Sequence, residues 1–250
     1  MRNDLVVNSG GQIAWAVRKE NPLLLEHLNK FLARNKKGSL LGNILYNRYY
    51  LNASAIRNPL IESDREKLID LLEVFRKYAS RYNFDYLAIA AQAYQESGLD
   101  NRKRSPTGAL GIMQVLPSTA ADKKIKIKNI EKLENNIHAG VKYLNFLRKR
   151  YFSDPAITPA NRVYFSWAAY NAGPAKINRI RRQAAKEGFD PNQWFFHVEN
   201  IAAKVIGREI VHYVANINKY YVAYQLQFEN YLKRQQEIEK LRKKMAPAKG

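Results

Sequence analysis

The 250-residue chain contains no cysteine. This excludes disulfides and cysteine-ligated metal, and it leaves the redox compartment unreadable. No apolar run approaches the roughly 20 residues that span a bilayer. Met1-Arg2-Asn3-Asp4 leads into only three apolar residues, at positions 5–7, short of the roughly 7–15 of a signal peptide. On that ground alone the protein is intracellular or its natural N-terminus lies elsewhere. His27, His138, His197 and His212 are scattered, with no pair at metal-ligand spacing, so no metal is expected. No Ser-His-Asp or Cys-His nucleophile pattern occurs, and no phosphate or dinucleotide loop. No cofactor is expected. Acidic residues are scarce, 22 Asp and Glu against 42 Lys and Arg, for a net charge of +20. That balance first suggests nucleic acid or an anionic surface. Yet the basic residues are spread along helices and mixed with acids, without a helix-turn-helix, RNA-recognition or zinc pattern, so nucleic acid is not the expected partner. The 46% hydrophobic content rules out a wholly disordered chain. The length suits one large domain, or one domain plus a piece of another.

The chain divides by pattern. Within residues 5–18, two short β-prone runs flank Gly10-Gly11 and suggest a strand pair. Residues 22–32 read as a helix with Leu24, Leu28, Phe31 and Leu32 on one stripe. A second helical stretch carries Leu41, Ile44, Leu45 and Tyr49, and residues 52–59 read as a linker. From Ser63 onward nearly everything reads as helix. Ser63 and Glu66 form a capping box, and Leu68, Leu71, Leu72, Phe75 and Tyr78 form the apolar stripe behind it. Asp85 is placed to cap a helix that Gly98 stops. Pro117, Pro159, Pro174 and Pro191 sit where helices can begin. Residues 136–151 form another amphipathic helix, and a long helix runs from about Val205 to Met245, basic in its last third. The expected segments are 1–58, 59–230 and a basic helical tail, 231–250.

Three segments are candidates for chemistry. In Ala93-Tyr94-Gln95-Glu96-Ser97-Gly98, Glu96 follows an apolar helix and sits in its last turn. Burial and the negative end of the helix dipole both favour a protonated carboxyl, which is what a general acid needs. The simpler reading is a surface Glu that ends a helix. In the segment from Ser105 to Pro117, Gly108 and Gly111 allow tight turns, and Gln114 offers an amide suited to sugar hydroxyls or an N-acetyl group. Taken alone, a packed connection between helices is the better explanation of this segment. In Trp167-Ala168-Ala169-Tyr170-Asn171-Ala172-Gly173-Pro174, a phenol and an amide stand at a helix end, with Gly173 as a left-handed cap.

Taken together, these segments resemble the Slt-type lytic transglycosylase domain, related in fold to goose-type lysozyme. The likeness rests on Glu96-Ser97, Gly111-Ile112-Met113-Gln114-Val115-Leu116-Pro117, Asn136-Ile137-His138-Ala139-Gly140-Val141-Lys142-Tyr143-Leu144 and Ala169-Tyr170-Asn171-Ala172-Gly173, in that order, with Glu209 and Tyr213 matching a late Glu-x-x-x-Tyr-Val segment. It covers roughly residues 68–221. Residues 5–52 resemble the end of a periplasmic solute-binding domain, through Ile13-Ala14-Trp15-Ala16-Val17-Arg18-Lys19 and Leu45-Tyr46-Asn47-Arg48-Tyr49-Tyr50. The implied fold is mainly α, a lysozyme-like helical catalytic domain behind a short α/β remnant. The implied location is the periplasm, peripheral to the outer membrane, with the leader lost from a fragment.

The resemblance implies cleavage of the β-1,4 bond between N-acetylmuramic acid and N-acetylglucosamine in peptidoglycan, leaving a 1,6-anhydromuramoyl end. Glu96 would protonate the glycosidic oxygen and then serve as base for the muramoyl 6-hydroxyl. Ser105, Met113, Gln114, Tyr170 and Asn171 would line the glycan cleft. Glu209 and Tyr213 would complete it by orienting or tuning Glu96. A hydrolytic muramidase and a non-catalytic peptidoglycan-binding module are the alternatives. The basic C-terminal helix is a candidate for contact with anionic lipid through Leu232, Ile238, Leu241 and Met245; a solvated charged tail is the simpler reading.

Overall fold

The computed structural model describes residues 17–36, 38, 39, 43 and 62–245, with side chains except at residues 62, 63, 65 and 228–245. By contact the chain divides into two compact units, Met1–Asn58 and Pro59–Gly250. In the first unit, α1 (Pro22–Asn35) starts at a proline, where the missing N–H costs nothing. Its expected apolar stripe is not a core: Leu24, Phe31 and Leu32 are exposed and no residue of the helix is buried. The expected strand pair within 5–18 (apart from Val17 and Arg18, which are in no strand), the second helical stretch (apart from helical Asn43) and the linker lie outside the described residues.

The second unit is helical, with only isolated β-bridges among its described residues. Its elements are α2 (Glu62–Tyr82), α3 (Tyr86–Ser97), α4 (Pro117–Ala121), α5 (Leu133–Tyr151), α6 (Pro159–Ala172), α7 (Pro174–Lys186), a π-helical turn (Trp194–Val198), α8 (Glu199–Val205) and α9 (Arg208–Met245). The centre is α3. Residues 87–94 are buried without interruption, so the helix presents an apolar surface all round, as a core helix must. Its alanines let α2 and α9 pack closely against it. Around it α5, α6, α7 and α9 close one hydrophobic core, with Trp167, Trp194, Tyr224, Phe75, Phe152 and Phe165 as the largest buried side chains.

Local chemistry sets the ends that matter. Asp85 Oδ1 accepts from the Leu87 N–H at 2.8 Å and caps α3 at its start. Gly98, at φ 71° and ψ 31°, ends it in the left-handed conformation, and its N–H bonds the Tyr94 carbonyl. Pro117, Pro159 and Pro174 begin helices as expected. Pro191 does not; it lies in a turn before the π-helical segment. Ser63 is inside α2 and not ahead of it. Gly173 joins α6 to α7 at φ 86° but ψ 140°, so it is extended with positive φ and not left-handed helical, a conformation that only glycine adopts readily. The long last helix begins at Arg208, because Gly207 (φ 98°) breaks the chain after α8. The side chains of Leu232, Ile238, Leu241 and Met245 lie outside those described. Among the described residues no helix is long and apolar enough to cross a membrane.

Candidate active site

Glu96 sits in the last turn of α3, half-buried, with one oxygen committed. Tyr213, from the buried face of α9, donates its hydroxyl to Glu96 Oε1 at 2.5 Å. Burial pushes the Glu96 carboxyl up to about 7; the Tyr213 hydrogen bond and the positive charge of Lys103 pull it back toward the ordinary range. Lys103 Nζ also donates to the Glu96 backbone carbonyl, placing a cation at the helix C-terminus where it is favoured. Tyr213 and Tyr170 are held far above the ordinary phenol range, first by burial and next by the Glu96 charge. Both are therefore protonated donors at any working pH. The result is a carboxyl that is half protonated near neutrality, with its Oε1 occupied and its other oxygen left to exchange a proton.

Removing the Tyr213 hydroxyl removes a bond that favours the anion. Tyr213→Phe should therefore raise the Glu96 pKa by about 1–2 pH units, the worth of a hydrogen bond to a charged group. If Glu96 must be protonated to act, activity falls as pH rises through that pKa. The variant's alkaline limb should then move to higher pH, and a pH–rate profile checks it; an unmoved limb would separate Tyr213 from the ionisation of Glu96.

The loop between α3 and α4 is built against this helix end. Ser97 Oγ donates to the Ile112 carbonyl at 2.8 Å and accepts from the Asp100 N–H at 3.1 Å. Asn101 Oδ1 accepts from the Ile112 N–H. Asn136, fully buried on α5, clamps the loop three ways: Oδ1 accepts from the Met113 N–H at 2.8 Å, and Nδ2 donates to the carbonyls of Leu110 at 2.9 Å and Ile130 at 2.8 Å. Gly111 lies against this amide so closely that an added Cβ would stand 2.3 Å from Asn136 Nδ2. Gly140 gives the same clearance on α5, where a Cβ would stand 2.7 Å from that of Met113. Tyr170, from α6, donates to the Met113 carbonyl at 2.8 Å and locks the loop from the far side.

Several expected roles change on this geometry. Glu96, Tyr213, Tyr170 and the Met113 backbone come together. The Met113 side chain does not line a cleft; it has no exposure and packs beneath Gly140. Gln114, held at φ 47°, spends its amide N–H groups on the carbonyls of Gly111 (2.8 Å) and Lys103 (3.2 Å), so they shape the loop. Ser105 Oγ accepts from the Ala109 N–H at 2.8 Å and pairs with the Thr107 hydroxyl, closing the turn that carries Gly108. Asn171 is exposed at the end of α6. Glu209 is exposed one turn before Tyr213, and the groups that shift the Glu96 carboxyl are Tyr213 and Lys103. Residues missed from sequence are Lys103, Asn101 and Asn136. Asn136 stood within a motif, but only its burial shows it to be a clamp. Among the described residues no group of three or more His, Asp or Glu side chains could hold a metal ion.

Among the groups that shift the Glu96 carboxyl there is no second carboxylate. Asp100, nearest in sequence, is taken up by Arg102, whose Nε lies 3.1 Å from Oδ1. That hydrogen bond holds Asp100 below the ordinary carboxylate range. An acid whose oxygen is fixed by a phenol, beside a loop of ordered backbone, suits protonation of a leaving oxygen and its reversal.

Comparisons with known proteins bear on the family and the fold. The transglycosylase SLT domain model matches residues 73–193, the stretch that runs from α2 through α3, the clamped loop and α6. The chain is 32% identical over 226 residues to a membrane-bound lytic murein transglycosylase F of Desulfosudis oleivorans, covering 84% of this chain and 49% of that protein. It is 30% identical over 227 residues to the protein of the same name from Pseudomonas fluorescens, covering 83% and 46%. The chain thus spans about half the length of these relatives. The 70 kDa soluble lytic transglycosylase of Escherichia coli shares the fold, with a TM-score of 0.50 at 23% identity over 83% of this chain and 35% of that one. Over residues 73–193, therefore, this chain belongs to the transglycosylase SLT domain family.

Proposed function

We propose that the chain is a peptidoglycan lytic transglycosylase that cleaves the β-1,4 bond between N-acetylmuramic acid and N-acetylglucosamine without water. Glu96 gives its proton to the glycosidic oxygen as the bond to the anomeric carbon breaks. The resulting carboxylate then takes the proton of the muramoyl 6-hydroxyl as that oxygen bonds the anomeric carbon. Glu96 ends protonated, as it began, and the product ends in a 1,6-anhydro ring. Tyr213 holds Oε1 throughout, so one oxygen does both transfers. Tyr170 and the Met113 segment form the wall beside it.

The single observation that carries this reading is the Glu96 carboxyl, raised by burial and held by the Tyr213 hydroxyl, with no carboxylate among the groups that shift it. Glycosidases that admit water ordinarily place two carboxyl groups across the bond, about 5–9.5 Å apart. Here Glu96 is tuned by a phenol and a lysine, with no second carboxylate acting on it, and Asp100 is engaged by Arg102. An intramolecular nucleophile needs only one group that alternates as acid and base. The names of the relatives support the same substrate. The net charge of +20 fits a polymer bearing muramoyl and peptide carboxylates, and the working location is the periplasm, at the cell wall. Digestion of purified sacculi, with products resolved by mass spectrometry, tests it. Anhydromuramoyl ends support the proposal. Reducing ends assign a hydrolytic muramidase instead, and binding without cleavage a non-catalytic module.

A further inference from the structure

One buried polar group beside the site has no role in the chemistry above. Gln92 lies on α3 one turn before Glu96, on the same side of the helix. It is fully buried, among residues that are otherwise apolar apart from the site. Neither its amide nitrogen nor its amide oxygen makes a hydrogen bond of ordinary geometry. An amide buried in that state costs free energy, and natural cores rarely keep one without a use. On that same side of α3 the Tyr213 hydroxyl reaches Glu96 Oε1, one turn beyond Gln92, and the amide favours ionisation of that phenol, as a donor near its oxygen does. Tyr213 donates its only hydrogen to Glu96 Oε1, which leaves the phenol oxygen free to accept. The last torsion of a glutamine side chain is soft, so a small rotation aligns Nε2–H with that oxygen.

We propose that Gln92 is a positioning residue, which donates to the Tyr213 hydroxyl oxygen and thereby aims the Tyr213 hydrogen at Glu96 Oε1. The chain Gln92 to Tyr213 to Glu96 then fixes which carboxyl oxygen carries the exchangeable proton. A hydroxyl that accepts a bond donates a stronger one. Gln92 has no exposure, so it does not touch substrate and acts only through Tyr213. The other ionisable groups at Glu96 are Lys103 from the loop and Tyr170 from α6; Tyr170 gives its one hydrogen to the Met113 carbonyl, so it does not supply the Tyr213 oxygen with a donor.

The inference rests on Glu96 as the acid and base, but its test does not depend on turnover. The Glu96 carboxyl is titrated by carbon-13 NMR or difference infrared spectroscopy, with Glu96→Gln assigning the signal. Gln92→Met, of similar volume and without the amide, should raise the midpoint by about 0.3 pH unit, the fraction that one bond of a chain lends the next. Its thermal midpoint should change little, since the substitution removes one proposed bond together with a buried amide oxygen that has no partner. In a Tyr213→Phe background the same substitution should leave the midpoint where it is. An unmoved midpoint in the single variant overturns the proposal. So does an equal rise in both backgrounds, which would mean that Gln92 acts on Glu96 directly. Failure of the wild-type protein to release anhydro products would count against the proposed reaction and leave this titration intact.

Discussion

Glu96→Gln should fold normally and release anhydro-muropeptides from sacculi at least about 10²–10⁴-fold more slowly than the wild type, the usual contribution of a single general acid–base. The expected loss lies at the upper end, because the same carboxyl performs both transfers and an amide performs neither. The substitution keeps the shape, and its carbonyl still accepts from Tyr213, so the loop and helix end should stay in place. The same variant carries a stability signature of opposite sign. The folded Glu96 pKa, about 7, lies above the ordinary value of 4.5. Between those two pH values the folded state holds a proton that the unfolded state has released. The wild type therefore loses stability as pH rises from about 4.5 through 7, by about 3 kcal/mol at most. Gln does not titrate, so the stability advantage of Glu96→Gln should widen over that window and level off above it. Denaturation at pH 5 and pH 8 measures this. A variant that retains turnover, or whose stability advantage is flat with pH, would remove Glu96 from the centre of the site.

Asn136→Ala should cost about 3–5 kcal/mol, among the largest single-residue effects in the unit. It deletes one acceptor and two donors in a site with no exposure, leaving the Met113 N–H and the Leu110 and Ile130 carbonyls without their partner. Activity should fall beyond what the lost stability explains, because the Met113 carbonyl that anchors Tyr170 loses its register. Lys204→Ala serves as the contrast. It breaks a surface pair with Glu187 at 3.2 Å and should change stability by less than about 1 kcal/mol. Urea titration of the two variants checks the ranking; an Asn136→Ala cost near that of Lys204→Ala would mean that the loop is held by something else.

The helical half of the fold was legible because its signals are local. Asp85 before an apolar run and Gly98 after it bound α3 to the residue, and three of four helix-opening prolines were placed correctly. Pro191 failed because a proline is equally at home in a turn. Gly173 was recognised as a junction, but the sign of φ carries no information about ψ. The acid was legible for the same reason, since the burial that raises its pKa can be read along one helix. Its partner was not derivable by pattern. Tyr213 is 117 residues away and was placed only by likeness to a family. The side chains that stabilise the loop were misread in one direction. Met113, Gln114 and Ser105 were expected to face substrate; the Met113 side chain is buried, Gln114 bonds the carbonyls of Gly111 and Lys103, and Ser105 bonds the Ala109 N–H. A loop that must present ordered carbonyls has to spend polar side chains on itself, and sequence does not show where those bonds go. Gln92 was invisible inside an alanine-rich run, because a single polar residue in an apolar helix carries no periodic signal.

The most direct measurement is digestion of sacculi in water enriched in oxygen-18, with each new muramoyl end weighed by mass spectrometry. An intramolecular attack by the 6-hydroxyl takes no oxygen from solvent, so the new ends should carry the anhydro mass and no label, and Glu96→Gln should yield almost none of them. Muramoyl ends heavier by one labelled water would contradict this, and would mean that a water held at the site, and not the substrate's own hydroxyl, attacks the anomeric carbon.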